Sequence, residues 1–506
     1  MKARAVGFLA ALALLSGCGT NPTEYPLATG QANQTQAPLD ANPDHPLVVM
    51  TFSGGGSRAA ALAAAVVERL NNLHYMAGSE TRSLSEDIAV VSSVSGGSVY
   101  AADLGLNGPA HAGSFMRRIQ DYDGIGWLER RALDPFTWLS LQFEGKTRID
   151  LLQEMIEDLL QTHATMTAIN QPGKQLTLLN ATDMVAGQVF TFDRPTLDDV
   201  CMDYDRVPVS LGVTASAAFP IAFTPVLLRD DSYLASGCPG QRNAHLAYLT
   251  PLQTAGGPYA NLETYRTARY RQALRNEIVV KQGSGDQVPP YRTPVYLRLV
   301  DGGVADNSGL TALRRALLAV GAPADIGRLT AQGRLRHLVV IAVNARSDPK
   351  SDLDTSPQYT TILTMANGIS GALVDSASSN SAALFQDFIK LLINDRDSLV
   401  KQGQTQANFA VYPISIDFDQ LPNATEAERQ KQLQVKSIAT SWTLKQGDVK
   451  LLSDVAGELL WRHPCFRLLV ADIGLQGQPE ADAVPSTRCP VEPPLPIPTK
   501  RVRPPA

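Results

Sequence analysis

A serine that follows a short apolar run is the first residue of this chain whose setting could support chemistry. Residues 88–97 read IAVVSSVSGG, so a strand-like run leads into small residues around Ser95. A serine can attack a carbonyl carbon when it lies on a tight turn between a strand and a helix, with a glycine two residues later for clearance. Gly97 provides that glycine, whereas Ser93 replaces the usual earlier one. Taken alone, such a cluster is also typical of a simple turn or helix cap.

Three consecutive glycines form a second junction that could carry part of the same chemistry. Residues 51–58 read TFSGGGSR, a strand end followed by Gly54, Gly55 and Gly56. These glycines allow successive backbone N–H groups to point into one concavity at the start of a helix, which suits a developing oxyanion. The same glycines with Ala59 fit a dinucleotide fingerprint, but the next strand leads to Ser95 instead of ending in an acidic residue. A nucleotide P-loop does not fit, because its Gly-Lys-Ser/Thr ending is missing.

An aspartate at the end of a third apolar run completes the set. Residues 298–303 read RLVDGG, so Asp301 follows a strand and precedes two glycines. Active-site groups of open α/β sheets gather at the carboxyl ends of strands, where Asp301 could accept the proton of Ser95. By itself this motif is also a common turn. In combination, the three motifs predict acyl transfer by a serine nucleophile.

Short apolar runs that alternate with helical stretches must position these residues. This alternation predicts an α/β class protein with a three-layer α/β/α fold and a mostly parallel central sheet. The predicted strands are residues 47–52, 88–92, 176–181, 295–300 and 338–343, and the predicted helices are residues 59–73, 97–104 and 310–320. After residue 346 the pattern is mainly helical, with a strand-like run at 409–416 and helices around 425–439 and 449–461.

The order of these motifs resembles that of the patatin-like phospholipases and their cytosolic phospholipase A relatives. Gly-Gly-Gly-x-Arg at 54–58, Ser-x-Ser-x-Gly at 93–97 and Asp-Gly-Gly at 301–303 follow one another as in that family. Asn-Ala-Thr-Asp at 180–183 and the Ala- and Ser-rich stretch 214–220 extend the resemblance, which covers Val48 to Asn344. The resemblance implies a patatin-like fold and hydrolysis of an acyl-ester lipid, as a phospholipase A or lysophospholipase.

The resemblance also implies a role for individual residues. Ser95 and Asp301 would form a catalytic dyad without histidine, and Gly54 to Gly56, with Arg58 beside them, would form the oxyanion hole. A free aspartate, with a pKa of about 3.9, is a weak base. We therefore expect burial to raise the pKa of Asp301, or the helix N-terminus to make Ser95 more acidic. Two alternatives stay open: a Ser-His-Asp esterase, and a non-catalytic lipid-binding protein on the same fold.

The first residues predict export and lipid attachment. Residues 1–17 carry a charged start, a short apolar run and Leu-Ser-Gly directly before Cys18, which is typical of a lipoprotein signal peptide. The arrangement resembles the bacterial lipobox and implies cleavage before Cys18 and lipidation of its sulfur, with an ordinary secretory signal as the alternative. Gly19 in place of aspartate implies, by resemblance to enterobacterial lipoproteins, the outer membrane of a bacterial cell envelope. Residues 18–45 would be a flexible tether.

The remaining cysteines suggest disulfides, and the composition restricts the classes of metal, cofactor and partner that we expect. Without Cys18, an even number of cysteines remains in an exported chain, which favours two disulfides. Sequence order suggests Cys201 with Cys238 and Cys465 with Cys489, although four cysteines permit three pairings, and reduced thiols are the alternative. The seven histidines are scattered and no zinc-type spacing occurs, so we expect no metal. A net charge of −5 makes nucleic acid an unsuitable partner. We expect an acyl-ester lipid substrate, a membrane contact through the lipid anchor and no cofactor, nucleotide included.

The expected domain organisation has five parts. A catalytic domain at 46–345, with a possible insertion at 226–294, follows the signal peptide and tether. Residues 346–475 form a mainly helical part of the same domain, and a proline-rich tail occupies 476–506.

Overall fold

A single mixed sheet forms the centre of the molecule. The computed structural model describes residues 39, 41–134, 137, 146–220, 222–230, 295–318, 322, 324–346, 383–477 and 489. Its strands are β1 (Leu47–Phe52), β2 (His74–Ala77), β3 (Glu80–Ser83), β4 (Ile88–Val94), β5 (Leu176–Asp183), β6 (Gln188–Thr191), β7 (Val226–Asp230), β8 (Val295–Asp301), β9 (His337–Asn344) and β10 (Ala410–Asp417). The central sheet has the order β10-β9-β1-β4-β5-β8-β7, with β6 paired to β5, while β2 and β3 form a separate hairpin.

Helices cover both faces of this sheet. The helices are Gly56–Asn71, Gly96–Asn107, Ala112–Asp121, Gly124–Leu133, Arg148–Leu160, Met166–Ile169, Arg194–Asp199, Val209–Ser216, Gly303–Asp306, Leu310–Leu318, Ile326–Ala331, Glu426–Lys436, Asp448–Arg462 and Pro464–Ile473. Residues 383–401 are also helical. The helices pack against the sheet in two hydrophobic cores, one on each side of the sheet. The predicted three-layer α/β/α arrangement is therefore confirmed.

The two cores explain why the strands read as continuous apolar runs. In β1, Val48 and Met50 pack into one core, whereas Leu47 and Val49 pack into the other. Successive side chains of a strand point to opposite faces, so a strand covered on both faces is apolar at most positions. All residues of β1 are buried, as expected for a strand covered on both faces.

The strand pairing changes from parallel to antiparallel beside the carboxyl end of β4. Strands β10, β9, β1, β4 and β5 are mutually parallel, as predicted from the alternating pattern. By contrast, β6 and β8 each pair antiparallel with β5, and β7 pairs antiparallel with β8. Because β8 runs against β5, its last residue arrives at the carboxyl ends of β4 and β5.

The part after residue 346 completes the sheet. The predicted strand-like run is β10, which pairs with β9 along its whole length. The two predicted helices correspond to Glu426–Lys436 and Asp448–Arg462, and the second packs against Gly56–Asn71. The C-terminal part is therefore integral to the same fold.

Several predictions concern residues that lie wholly or partly outside the described ranges. The signal peptide, Cys18 and Cys238 lie outside them, as does most of the tail. The predicted insertion at 226–294 begins with β7, a strand of the central sheet, and its remainder lies outside the described residues. The end of the predicted tether is attached to the body, since Arg328 donates a hydrogen bond to the carbonyl of Leu39 at 3.0 Å.

The structure contains a disulfide between Cys465 and Cys489. Cys201 is also disulfide-bonded. Because Cys238 is not described, the pair Cys201–Cys238 stays a prediction.

Candidate active site

Ser95 lies on a sharp turn between β4 and the helix Gly96–Asn107, as the sequence predicts. Its backbone has φ 51° and ψ −123°, a conformation that L-residues rarely adopt and that costs on the order of 1–3 kcal/mol. Two hydrogen bonds hold the turn: the Ser95 N–H donates to Ser216 Oγ at 2.8 Å, and the Ser98 N–H donates to the Ser95 carbonyl at 2.9 Å. The strained backbone presents the Ser95 hydroxyl at the carboxyl edge of the sheet.

The glycines after Ser95 allow two turns to pack together. A Cβ at Gly96 would overlap the backbone of Gly56, and one at Gly97 would lie 2.6 Å from the carbonyl oxygen of Ser53. Close approach of the two backbones therefore requires glycine at both positions.

Ser93, which replaces the usual glycine before the nucleophile, has a buried polar setting. Its hydroxyl donates to the Leu178 carbonyl at 3.1 Å and lies 3.0 Å from Ser98 Oγ. These partners satisfy the hydroxyl, so the departure from the common motif is accommodated without a buried unpaired group.

Asp301 contacts the candidate nucleophile Ser95 directly. Ser95 Oγ donates a hydrogen bond to Asp301 Oδ2 at 2.7 Å, and the Gly303 N–H donates to Oδ1 at 2.8 Å. Ser95 and Asp301 are 8% and 4% exposed, so solvent screens the pair poorly. Burial raises the pKa of Asp301 to about 6, while the hydrogen bonds from Ser95 and Gly303 act in the opposite direction. The desolvation expected for a useful carboxylate base is present.

The glycine turn faces Ser95 from the other side. A Cβ built on Gly54 would lie 3.2 Å from Ser95 Cβ, which places this turn against the nucleophile. The N–H of Gly54, however, donates to the carbonyl of Asn307 at 3.2 Å, so it is already used. Gly55 and Gly56, with φ 142° and 60°, therefore remain as the candidate oxyanion donors at the start of the helix Gly56–Asn71.

Arg58 lies beside the glycine turn, but its side chain serves a different purpose from that expected. The buried guanidinium donates to the carbonyls of Ala345, at 2.9 Å, and Ile438, and to Thr440 Oγ1 at 3.2 Å. Burial lowers the pKa of Arg58 to about 10. These donors tie the glycine turn to the C-terminal part of the chain instead of pointing to an oxyanion. We correct the predicted role of Arg58 to that of a positioning residue.

Residues of two motifs singled out in the sequence, 180–183 and 214–220, make hydrogen bonds to the backbone around Ser95 and Asp301. Ser216 Oγ, which accepts the Ser95 N–H, donates to the Asn180 carbonyl at 2.5 Å. The Asn180 amide donates to the Ser93 carbonyl at 3.0 Å, and Thr182 Oγ1 donates to the Asp301 carbonyl at 2.9 Å. Serine, asparagine and threonine in these stretches thus fix the backbone around Ser95 and Asp301.

Other contacts to the site had no sequence signal. The Ser57 N–H donates to the Ser441 carbonyl at 2.8 Å, and Gly56 lies directly beneath Ser441. Asn307, which holds Gly54, follows a four-residue helix. No periodicity or motif marks such residues, because their contacts come from chain segments distant in sequence.

Within the described ranges, no histidine is hydrogen-bonded to Ser95 or Asp301, and no metal-binding cluster occurs. Among the six described histidines, none makes a hydrogen bond to Ser95 or Asp301. No cluster of three or more His, Cys, Asp or Glu residues in the described part could hold a metal ion. The described helices include none long and apolar enough to cross a bilayer.

A buried serine and aspartate at the strand ends of an α/β sheet, facing a glycine turn, define a site of the acyl-hydrolase type. The family model described as patatin-like phospholipase matches residues 50–248, so the chain contains a patatin-like phospholipase domain. This match includes Ser95 and the glycine turn and ends before Asp301.

Among solved structures, the chain is similar to human GIVD cytosolic phospholipase A2. The two are 14% identical, with a TM-score of 0.32, and the similarity covers 62% of this chain and 48% of the human one. The chain thus spans about half the length of that protein. No curated protein matches the chain.

Proposed function

We propose that the protein is a serine hydrolase that cleaves acyl esters of lipids, as a phospholipase A or lysophospholipase, through Ser95 and Asp301. The observation that carries this proposal is the 2.7 Å hydrogen bond between Ser95 Oγ and Asp301 Oδ2, formed on a strained turn that faces the glycine turn. The patatin-like domain supports lipid acyl esters as the substrate class.

The proposed reaction has two halves. Asp301 takes the Ser95 proton as Oγ attacks the ester carbonyl, and the N–H groups of Gly55 and Gly56 stabilise the tetrahedral oxyanion. Asp301 then gives the proton to the departing alcohol, which leaves an acyl-enzyme. Water attacks this ester and gives its proton to Asp301, and Asp301 then returns the proton to Ser95 Oγ as the bond to the acyl group breaks, which releases the fatty acid and restores both residues.

We further propose that the protein acts at a membrane, anchored through lipid on Cys18 in the outer membrane of a bacterial envelope. The support is the Leu-Ser-Gly-Cys sequence at 15–18 and the polar residues that follow it. Radiolabelled palmitate should label the wild-type protein and leave Cys18→Ser unlabelled. Labelling of both proteins would show that Cys18 is not the attachment site.

A lipid panel with product analysis tests the activity. The wild type should release fatty acid from phospholipid or lysophospholipid and react with a fluorophosphonate probe, whereas Ser95→Ala and Asp301→Asn should lose turnover. Ser114→Ala, on the surface helix Ala112–Asp121, is the matched control and should behave as wild type.

Two results would overturn the proposal in different ways. Retained turnover in Asp301→Asn, together with full loss on changing one histidine, would indicate a Ser-His-Asp esterase. Lipid binding without probe labelling of Ser95 in the folded protein would indicate a non-catalytic lipid-binding protein.

A further inference from the structure

One short segment, at the end of the helix that finishes at Ser216, binds the backbone of both members of the candidate dyad. The Ser216 hydroxyl accepts the N–H of Ser95 at 2.8 Å, and the Ser216 carbonyl accepts the N–H of Gly302 at 3.0 Å. Two residues later, the carbonyl of Ala218 accepts the N–H of Asp301 at 2.9 Å. The segment therefore joins the turn after β4 to the end of β8.

The end of this helix is a fixed point of the fold. All residues of the helix Val209–Ser216 are buried, and it packs against β5, β8 and the helix Gly96–Asn107. The last carbonyl groups of a helix have no partner within the helix, so they need donors from elsewhere. The N–H of Gly302 is such a donor, and the bond ties the helix end to the backbone beside the base.

The Ser216 hydroxyl has a complete set of hydrogen bonds. A serine hydroxyl offers one proton and two acceptor lone pairs. Its proton goes to the Asn180 carbonyl at 2.5 Å, so its oxygen accepts from the two remaining neighbours, the Ser95 N–H and the Ser98 hydroxyl at 2.9 Å. Ser216 and Ser98 are fully buried. Because every position is used, the hydroxyl has one orientation, in which it presents an acceptor to Ser95.

The backbone of Ser95 depends on this acceptor. With φ 51°, Ser95 occupies a region that L-residues adopt only where the surrounding contacts impose it. A buried N–H without an acceptor is costly, so loss of the Ser216 hydroxyl would favour another conformation of the turn. Ser95 Oγ moves with its backbone, and its 2.7 Å contact with Asp301 Oδ2 would then lengthen.

The two halves of the dyad are held in different ways. Backbone carbonyls of the segment bind the N–H groups of Asp301 and Gly302, and these bonds survive any change of side chain. Only the hydroxyl of Ser216 binds Ser95. We infer that Ser216 is a positioning residue that sets the separation between Ser95 Oγ and Asp301 Oδ2. This inference rests on the proposed function, because the separation matters for a reaction only if the pair reacts.

The variant Ser216→Ala in the full-length protein tests this inference on a soluble ester. We expect kcat to fall about 10- to 100-fold with little change in KM, because a small displacement of a reacting group is costly. The matched control is Ser210→Ala, since Ser210 is a buried serine of the same helix whose hydroxyl donates to Glu157 at 2.7 Å. Both variants lose a buried hydroxyl, but Ser210→Ala should keep the wild-type kcat. An equal loss in both variants, or wild-type kcat in Ser216→Ala, would overturn the inference.

The pH profile provides a readout that lost stability alone would not move. Burial raises the pKa of Asp301, and the hydrogen bond from Ser95 lowers it. A longer contact in Ser216→Ala should therefore shift the half-maximal point of kcat/KM to higher pH, whereas Ser210→Ala should leave it in place. A lower kcat with an unshifted profile would contradict a change in the separation. If Ser216→Ala does not fold, Ser216→Cys takes its place with the same outcomes, because sulfur is only a weak acceptor.

Amide exchange separates this inference from the proposed function. Hydrogen–deuterium exchange of peptides that span residues 88–100 reports the protection of the Ser95 N–H without any turnover. Exchange should be faster in Ser216→Ala than in the wild type and in Ser210→Ala. Equal exchange in all three proteins would overturn the inference even if the protein hydrolyses esters. If the wild type hydrolyses no ester, the proposed function fails, while faster exchange in Ser216→Ala alone would still support the role of Ser216 in holding Ser95.

Discussion

The carboxyl of Asp301 is buried where its negative charge is unfavourable for stability, and the proposed mechanism requires that same charge to activate Ser95. Its pKa of about 6 lies above the ordinary value of 3.8. A base must be ionised to accept a proton, so only the fraction of molecules with Asp301 deprotonated can activate Ser95. We predict that kcat/KM on a soluble ester rises with pH, is half-maximal near pH 6, and levels off above about pH 7. A flat profile between pH 5 and 8 would show that Asp301 is not the titrating base.

The same raised pKa predicts a stability gain when the charge is removed. Between pH 3.8 and about 6 the folded state binds the proton more tightly than the unfolded state, so the free energy of unfolding falls as pH rises through this range. Asp301→Asn removes a penalty of up to roughly 3 kcal/mol at pH 7. We expect Asp301→Asn to be more stable than wild type at pH 7 and equally stable near pH 4, as measured by denaturant unfolding.

A second buried aspartate provides the contrast. Asp306 accepts hydrogen bonds from the N–H groups of Ser308, at 2.8 Å, and Thr311, at 2.7 Å. Asp306→Asn weakens these hydrogen bonds and should destabilise the protein at pH 7. A similar destabilisation in Asp301→Asn would show that the penalty on the Asp301 charge has been overstated.

Arg58 links the glycine turn to residues far along the chain. Its guanidinium bonds two backbone carbonyls and one hydroxyl, a geometry that lysine cannot reproduce. We predict that Arg58→Lys lowers kcat on a soluble ester by about 10- to 100-fold with little change in KM, because a small displacement of oxyanion donors is costly. Thr440→Val removes only one neutral partner and should have a smaller effect. A rise in KM with unchanged kcat would instead indicate a substrate-binding role for Arg58.

At the scale of elements, the site depends on two strand-to-helix turns packed in direct contact. A Cβ at Gly96 would overlap the backbone of Gly56, so alanine must push the turns apart. We predict that Gly96→Ala lowers activity more than 100-fold and destabilises the protein by about 1–3 kcal/mol. Gly173→Ala is the control: Gly173 has φ 80° with open space around it, so its strain should reduce stability by about 1–2 kcal/mol and leave kcat unchanged. Unchanged activity in Gly96→Ala would show that the turns tolerate separation.

Elements with a local signature could be predicted from the sequence, and those without one could not. Residues 47–50 of β1 and residues 88–91 of β4 are continuous apolar runs, because both faces of these strands are covered. The antiparallel entry of β8 could not be predicted, because strand direction depends on connections that leave no periodic pattern. Likewise, Ser95 and Asp301 stood out by motif, whereas the use of the Gly54 N–H by Asn307 depends on a contact between distant segments.

At the scale of the whole molecule, the part of the chain after residue 346 acts as structural support for the site. It supplies the edge strand β10, the helix Asp448–Arg462 against Gly56–Asn71, and two acceptors of the Arg58 guanidinium, the Ile438 carbonyl and the Thr440 hydroxyl. A chain that ends at residue 346 would expose the edge of β9 and leave the cation of Arg58 buried without these partners.

A comparison of two shortened chains follows from this arrangement. We predict that residues 39–346 yield insoluble or unfolded protein that does not label with a fluorophosphonate. Residues 39–490 should fold and label at the wild-type rate, because they keep β10, the Arg58 contacts and the Cys465–Cys489 disulfide. Solubility, circular dichroism and the rate of probe labelling distinguish the two chains. Soluble, labelled protein from 39–346 would mean that the stretch from β1 to β9 folds and positions Ser95 by itself, and that the C-terminal part has another purpose.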